Sequence, residues 1–187
     1  MYVTSTAAGP AFEGAGVSCG CGSIPGAIDK VWIERGKLRI HTIREQPPIG
    51  ICGSGIVDTV AKLLETEGLD ETGVLEEEAG ELAPGLFLTQ KDIRMVQLAK
   101  AAISAGIRTL LTETNTDFSQ IETCYLAGGF GSHLNIENAV AVGLIPQELK
   151  TKVNVVGNAA LAGASQLLLD AEKINILDRY ESLHLCD

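Results

Sequence analysis

Cys124-Tyr125-Leu126-Ala127-Gly128-Gly129-Phe130-Gly131-Ser132 runs from strand-forming residues straight into a turn with two successive positions free of side chains. Glycine tolerates positive φ and lets backbone come close to a flat or charged ligand. Taken alone, the stretch reads equally as a ligand-binding turn or as a plain tight turn between a strand and a helix. Its neighbours decide the fold class. Ile121 to Leu126 reads as a strand. Asn135 to Val142 reads as a short helix that Gly143 stops, Val153 to Val156 as the next strand, and Asn158 as the cap of a last helix through Leu169. Strands alternating with helices predict an α/β protein.

Towards the N-terminus the pattern changes. Tyr2 to Thr6 is short and β-branched, and Val31 to Ile43 alternates around Gly36 as a hairpin does. Between them Ala7 to Gly26, rich in Gly, Ala and Ser, reads as an irregular segment. Gly53-Ser54-Gly55 then leads into Ile56, Val57, Val60, Ala61, Leu63 and Leu64 at helical spacing, with Gly68 as the stop. Thr89, with Asp92 three residues on, opens the longest helix in near capping-box form. The expectation is a mixed sheet with antiparallel N-terminal strands and flanking helices. Thr72 to Pro84 is the candidate for a mobile surface insertion.

Composition narrows the function classes. Of 187 residues, 45% are hydrophobic and 20% charged, an ordinary globular balance that argues against disorder. Aromatics make up only 4%, so the core has to be aliphatic. The net charge of −10 argues against a nucleic-acid partner, which needs clustered Lys and Arg. The run Glu76-Glu77-Glu78 reads as a solvated face. Five cysteines with no secretion signal suggest a reducing, cytoplasmic setting. Cys19-Gly20-Cys21 is the one close pair, and the absence of Cys-x-x-Cys removes the usual spacing of a zinc ribbon or an iron–sulfur cluster. No metal site is expected, and no apolar run approaches the ~18 residues of a membrane span.

Three further motifs bear on chemistry. At Gly53-Ser54-Gly55 a helix start offers free N–H groups to an anionic or hydroxyl-rich ligand, although Ser54 as a plain structural N-cap explains the stretch as well. Neither the Walker pattern nor Gly-x-Gly-x-x-Gly is present. Gln97 and Lys100 lie three apart on one helical face, where a lone Lys is ordinarily solvated. Gly157-Asn158-Ala159-Ala160-Leu161-Ala162-Gly163-Ala164 has enough small residues for another element to approach closely.

In order along the chain, the blocks Thr4 to Ala15, Ile51 to Gly55, Asp92-Ile93 with Gln97 to Ile103, Tyr125 to Gly131, and Gly157 to Ala164 resemble the C-terminal part of the reductive activators of corrinoid-dependent enzymes. Those proteins belong to the superfamily of actin, sugar kinases and heat-shock chaperones. The resemblance covers nearly the whole chain. It implies an actin-like, ribonuclease H-like lobe, spanning residues 1–187 as a single domain. Its longer relatives carry a 2Fe-2S ferredoxin-like domain and a two-lobed ATPase that binds ATP or ADP with Mg. There, ATP drives the return of a corrinoid protein from Co(II) to Co(I).

The resemblance also implies roles by position. Gly128, Gly129, Phe130 and Gly131 stand where the adenosine motif stands. Gln97 and Lys100 match helix residues that reach ribose and adenine, and Gly53, Ser54 and Gly55 match a turn facing the nucleotide. The helix from Gly157 to Ala164 matches the connection at which the lobes hinge, while Glu13, Cys19 and Cys21 receive no role. The chain departs from the family in lacking ferredoxin cysteines and the Asp-Gly-type phosphate hairpins. It therefore reads as a piece of a larger ferredoxin-plus-ATPase protein, beginning just after the second hairpin and ending before the family's usual C-terminus. The parent is expected to hydrolyse ATP, the piece alone to be inactive, and the catalytic residues stay unassigned. The expected partner is a corrinoid protein docked on an acidic or mixed surface, with a homodimer as a further option. Two alternatives stay open. One is the lobe of a superfamily sugar or acid kinase, with Glu13 or Asp58 as the base. The other is a non-enzymatic docking module for a corrinoid protein.

Overall fold

The computed structural model describes residues 1–76, 81–169 and 184–186. Among the described residues helices and short strands alternate, but the strands divide among four small sheets where one mixed sheet is expected. Strand β1 (Tyr2–Val3) is shorter than the predicted Tyr2–Thr6 and pairs in parallel with β9 (His184–Leu185). The residues after β1 leave the ladder because they pack elsewhere. Any side chain at Gly106 would strike the Thr6 methyl group, so this segment lies against the long helix that carries Gly106.

The central sheet is built on β2 (Ala27–Glu34), which pairs antiparallel with β3 (Lys37–Thr42) and parallel with β4 (Gly50–Ile51). Arg35 and Gly36 join β2 to β3 with positive φ at both positions, the two-residue hairpin geometry that suits strand twist. Helix α1 (Gly53–Glu65) starts directly after β4 and ends three residues before Gly68, with Thr66 as its cap. Every residue from Gly53 to Ala61 is buried, because α1 lies between β2 and helix α4 (Ile136–Val142). Ile28, Ile51, Ile56, Val57, Leu63, Leu88, Ile93 and Val96 form the aliphatic centre.

The Thr72–Pro84 segment is more ordered than an insertion where residues are described. The Gln90 side chain ties down the Gly73 carbonyl and the Leu75 N–H, and β5 (Glu81–Ala83) pairs with β6 (Leu86–Phe87). Glu76 is exposed; Glu77 and Glu78 lie outside the described residues. Helix α2 (Gln90–Glu113) begins at the expected capping box. Asp92 N–H donates to Thr89 Oγ1, and the Asp92 carboxylate accepts from the Thr89 N–H.

The predicted Ile121–Leu126 strand is shifted. A short 3-10 turn at Phe118–Gln120 precedes it, and β7 (Cys124–Ala127) pairs in parallel with β8 (Val153–Gly157). The one-turn helix α3 (Gly129–Ser132) follows β7, and α5 (Ala159–Leu169) follows β8. Asn135 caps α4, Gly143 ends it in the left-handed region, and Asn158 Oδ1 accepts from the Leu161 N–H at the start of α5.

Candidate functional site

A cleft of about 250 Å³ brings together two glycine motifs that are some seventy residues apart in sequence. Gly53 and Ser54 form one side, Gly129 and Phe130 the other, and Phe12, Glu13, Cys21, Gly22, Ser23, Cys52 and His133 complete the lining. Close backbone packing holds the walls together. A side chain at Gly53 would collide with the Phe12 carbonyl, and one at Gly55 with the Ile28 carbonyl. In the loop before β2, side chains at Gly14 or Gly20 would strike the Cys21 and Gly14 backbones respectively. The Phe12 and Phe130 rings stack at 5.4 Å with 17° between planes and join the two sides.

Gly53 and Gly55 thus owe their identity to the carbonyls packed against α1. Ser54 is not the N-cap. Cys52 holds that position in extended conformation, and Ser54 Oγ donates to the Asp29 carbonyl. The first-turn N–H groups of Gly53, Ser54 and Gly55 find no acceptor among the described residues. Such groups at the positive end of a helix dipole favour an anion or an electron-rich oxygen.

The second motif differs. Gly128 has φ +100° and ψ 166°, a region essentially closed to side-chain-bearing residues. Its N–H donates to the Gly157 carbonyl at 2.7 Å, and the Gly128 carbonyl accepts from Ser132 Oγ at 2.9 Å. Nothing lies within 4 Å of where a Cβ would stand on Gly128 or Gly129. The open space beside Gly129 belongs to the cleft. Gly131, by contrast, packs on the Leu126 side chain.

The loop wall is anchored from outside the cleft. Asp92 is fully buried and accepts from the Ser18 N–H at 2.8 Å, from Ser18 Oγ, and from Thr89. Burial alone would raise its pKa, but the Thr89 and Ser18 hydrogen bonds outweigh it and hold the carboxyl below the usual range. Burial pushes the Cys21 thiol up, and the neighbouring Cys52 adds to that; burial, with the Asp92 charge next, raises Cys19.

Gln97 and Lys100 do not reach this cleft. They line a small hollow between α1, α2 and the Asp70–Gly73 turn. Lys100 Nζ donates to the Val142 carbonyl at the end of α4, at 2.6 Å, and Gln97 Nε2 donates to the Thr72 carbonyl. Asp58, a candidate base on sequence, is buried. Its carboxylate accepts from the Val31 N–H at 3.2 Å and from Asn138 Nδ2 at 2.6 Å. Burial raises its pKa more than those two bonds lower it. Glu13 does line the cleft and is exposed. A larger and more open hollow, about 620 Å³ beside Arg108 and Phe118, includes none of the motif residues. Among the described residues no group of three or more His, Cys, Asp or Glu is placed to hold a metal ion, and no helix is long and apolar enough to cross a membrane. Phe12, Cys52 and His133 carry no local sequence signal for the cleft, since their places depend on contacts between distant loops.

Comparison with known proteins gives this geometry a family. A corrinoid activation enzyme of Eubacterium limosum, RamQ, is 39% identical over 94% of this chain and 34% of its own length. A protein of Methanosarcina barkeri described as a Co(II) methylated amine-specific corrinoid protein reductase is 29% identical over 94% of the chain and 36% of its own. Among solved structures, a reductive activator for a corrinoid, iron-sulfur protein superposes with a TM-score of 0.86 at 33% identity, covering 97% of this chain and 33% of that one. The chain therefore spans about a third of the length of the curated relatives it matches. The family model for the C-terminal domain of RACo, the ASKHA domain, matches residues 1–83 and 74–182, and the chain belongs to that family.

Proposed function

We propose that this chain is one lobe of an ATP-dependent reductive activator that returns corrinoid proteins from Co(II) to Co(I), and that the cleft between Gly53-Ser54 and Gly129-Phe130 receives part of the nucleotide. One observation carries the reading: two glycine motifs from distant parts of the chain face a single cleft, with the unpaired N–H groups of α1 on one side. The cleft is small. Whole-ligand pockets run to roughly 300–1,000 Å³, so about 250 Å³ suits a part of ATP rather than all of it. The residues here fit the uncharged and hydrogen-bonding parts of a nucleotide. Among the described residues no acidic cluster is placed to hold Mg, so Mg binding is assigned to the rest of the longer protein. When bound, ATP supplies the free energy of hydrolysis; this chain's share is to seat and orient the nucleotide.

The lobe reading has a second support. Helix α5 is strongly apolar and buries none of its residues, and β7 and β8 expose Tyr125, Val155 and Val156. A surface of that kind belongs against another element. We assign it to the remainder of a longer protein, with α5 as the hinge helix, and the 2Fe-2S cluster to that remainder as well. The names of the relatives support a corrinoid protein as the protein substrate. The kinase alternative loses Asp58 as a base, because both carboxylate oxygens are occupied inside the core.

Calorimetric titration of the full-length protein with ATP tests the proposal. Binding that Gly129→Trp abolishes is expected. No binding at millimolar ATP, or unchanged binding in that variant, removes the nucleotide from this cleft.

A further inference from the structure

The wall of the cleft holds a thiol pair that the nucleotide reading does not use. Residues Cys19–Cys21 run alongside Gly50–Cys52 as a short parallel bridge centred on Gly20 and Ile51. The Cys21 N–H donates to the Ile51 carbonyl at 2.8 Å, and the Ile51 N–H donates to the Cys19 carbonyl at 2.9 Å. That register sets Cys21 beside Cys52 and Cys19 beside Gly50. Neighbouring strands lie about 4.8 Å apart, inside the Cα separation of roughly 4.4–6.8 Å that a disulfide spans. Both Cys21 and Cys52 line the cleft, so their side chains share one face of the bridge. Cys21 Sγ fills the space left by Gly50, 2.8 Å from where a Cβ would stand there. Cys19 is engaged elsewhere, its thiol donating to the Phe87 carbonyl at 3.3 Å. All five cysteines of the chain are free thiols.

We infer that Cys21 and Cys52 form a reversible disulfide, a redox-sensitive lock that ties the loop wall of the cleft to the N-terminus of α1. The oxidant is a small-molecule disulfide. Cys21, the more exposed of the two, attacks one of its sulfurs as the thiolate and displaces the first small thiol. Cys52 then attacks Cys21 Sγ and displaces the second. Two protein thiols are oxidised and one small disulfide is reduced, and the two thiol protons end on the departing thiolates. The second step is intramolecular, so the burial of Cys52 does not block it. Because burial holds the Cys21 thiol protonated, the reaction accelerates as pH rises through the alkaline range. The lock depends on the geometry of the wall and not on which ligand fills the cleft.

The test uses the unaltered chain with excess glutathione disulfide, followed by alkylation of the remaining thiols and peptide mapping. The expected result is a fall from five free thiols to three and a linked pair of peptides carrying Cys21 and Cys52, released by dithiothreitol. Cys19→Ser keeps the link, Cys52→Ser leaves a glutathione adduct on Cys21, and Cys21→Ser leaves Cys52 unmodified because its thiol is buried. Five thiols unchanged, adducts without a link, or a link through Cys19 overturns the inference. The mapping on the unaltered chain decides the matter even where Cys52→Ser does not fold.

Discussion

Helices α1 and α5 follow the same local plan and meet opposite fates. Each follows a parallel-paired strand, β4 or β8, after a single linking residue, Cys52 or Asn158, and each is rich in aliphatic residues. Helix α1 is buried from Gly53 to Ala61, while α5 buries nothing, and its Leu161 and Leu168 are 63% and 87% exposed. Apolar content therefore does not say whether a helix is covered within its own chain. What separates the two is the number of layers around the strand. Helix α1 lies between a three-stranded sheet and α4, whereas α5 follows the last strand of a two-stranded sheet whose own Tyr125 and Val155 are exposed.

The largest expected effect breaks the comparison if it fails. Leu63→Ala in α1 should cost about 2–5 kcal/mol in urea unfolding, and Leu161→Ala in α5 less than about 0.5 kcal/mol in the same chain. Equal costs would mean that α5 is covered after all. In the full-length protein Leu161→Ala should become costly, which would sharpen the contrast.

Next comes Asp58, which ties α1 to β2 and α4. Asp58→Ala leaves the Val31 N–H and the Asn138 amide without their acceptor, at about 1–3 kcal/mol for each stranded group. Its pH signature opposes that of Asp92. The Asp58 pKa is raised in the fold, so the native state binds the proton more tightly, and Asp58's contribution to stability falls as pH rises through its folded value. The Asp92 pKa is lowered, so its contribution is present above the unfolded carboxylate value, about 3.9, and is lost as pH falls through the lower folded value. Chemical denaturation of Asp58→Asn and Asp92→Asn across the acidic range should show slopes altered in opposite senses; the same sense in both would refute the assignment.

Gly128 and Gly129 separate strain from space at the foot of the uncovered region. Gly128→Ala should cost about 1–3 kcal/mol through its φ alone, since no neighbour is close. Gly129→Ala, with ordinary φ and open space, should shift the melting temperature little. A large loss there would mean that the cleft side of α3 is packed and not open. The smallest effect is expected at the exposed end of α1, where Glu65→Gln removes the Lys62–Glu65 pair for less than about 0.5 kcal/mol, measured by thermal denaturation.

Much of the chain could be read from its sequence because the forces involved act over a few residues. The Thr89–Asp92 box, Asn135 and Gly143 around α4, the Asn158 cap and the Arg35-Gly36 hairpin are local hydrogen bonds and backbone preferences, and each stands where the sequence places it. The ordered glycine blocks carried the family resemblance in the same way. The membership of the cleft was a different matter. Gly53 and Gly55 are glycines because carbonyls of Phe12 and Ile28, far off in the chain, press against α1. Lys100 turns to the Val142 carbonyl because α4 ends beside α2. Cys21 meets Cys52 only through the Gly20–Ile51 bridge. By itself the sequence determined the locally capped helix ends, the β2–β3 hairpin and the family resemblance. The tertiary structure alone decided which motifs share a cleft and which helix goes uncovered, since both depend on contacts between segments whose sequences carry no mark of one another.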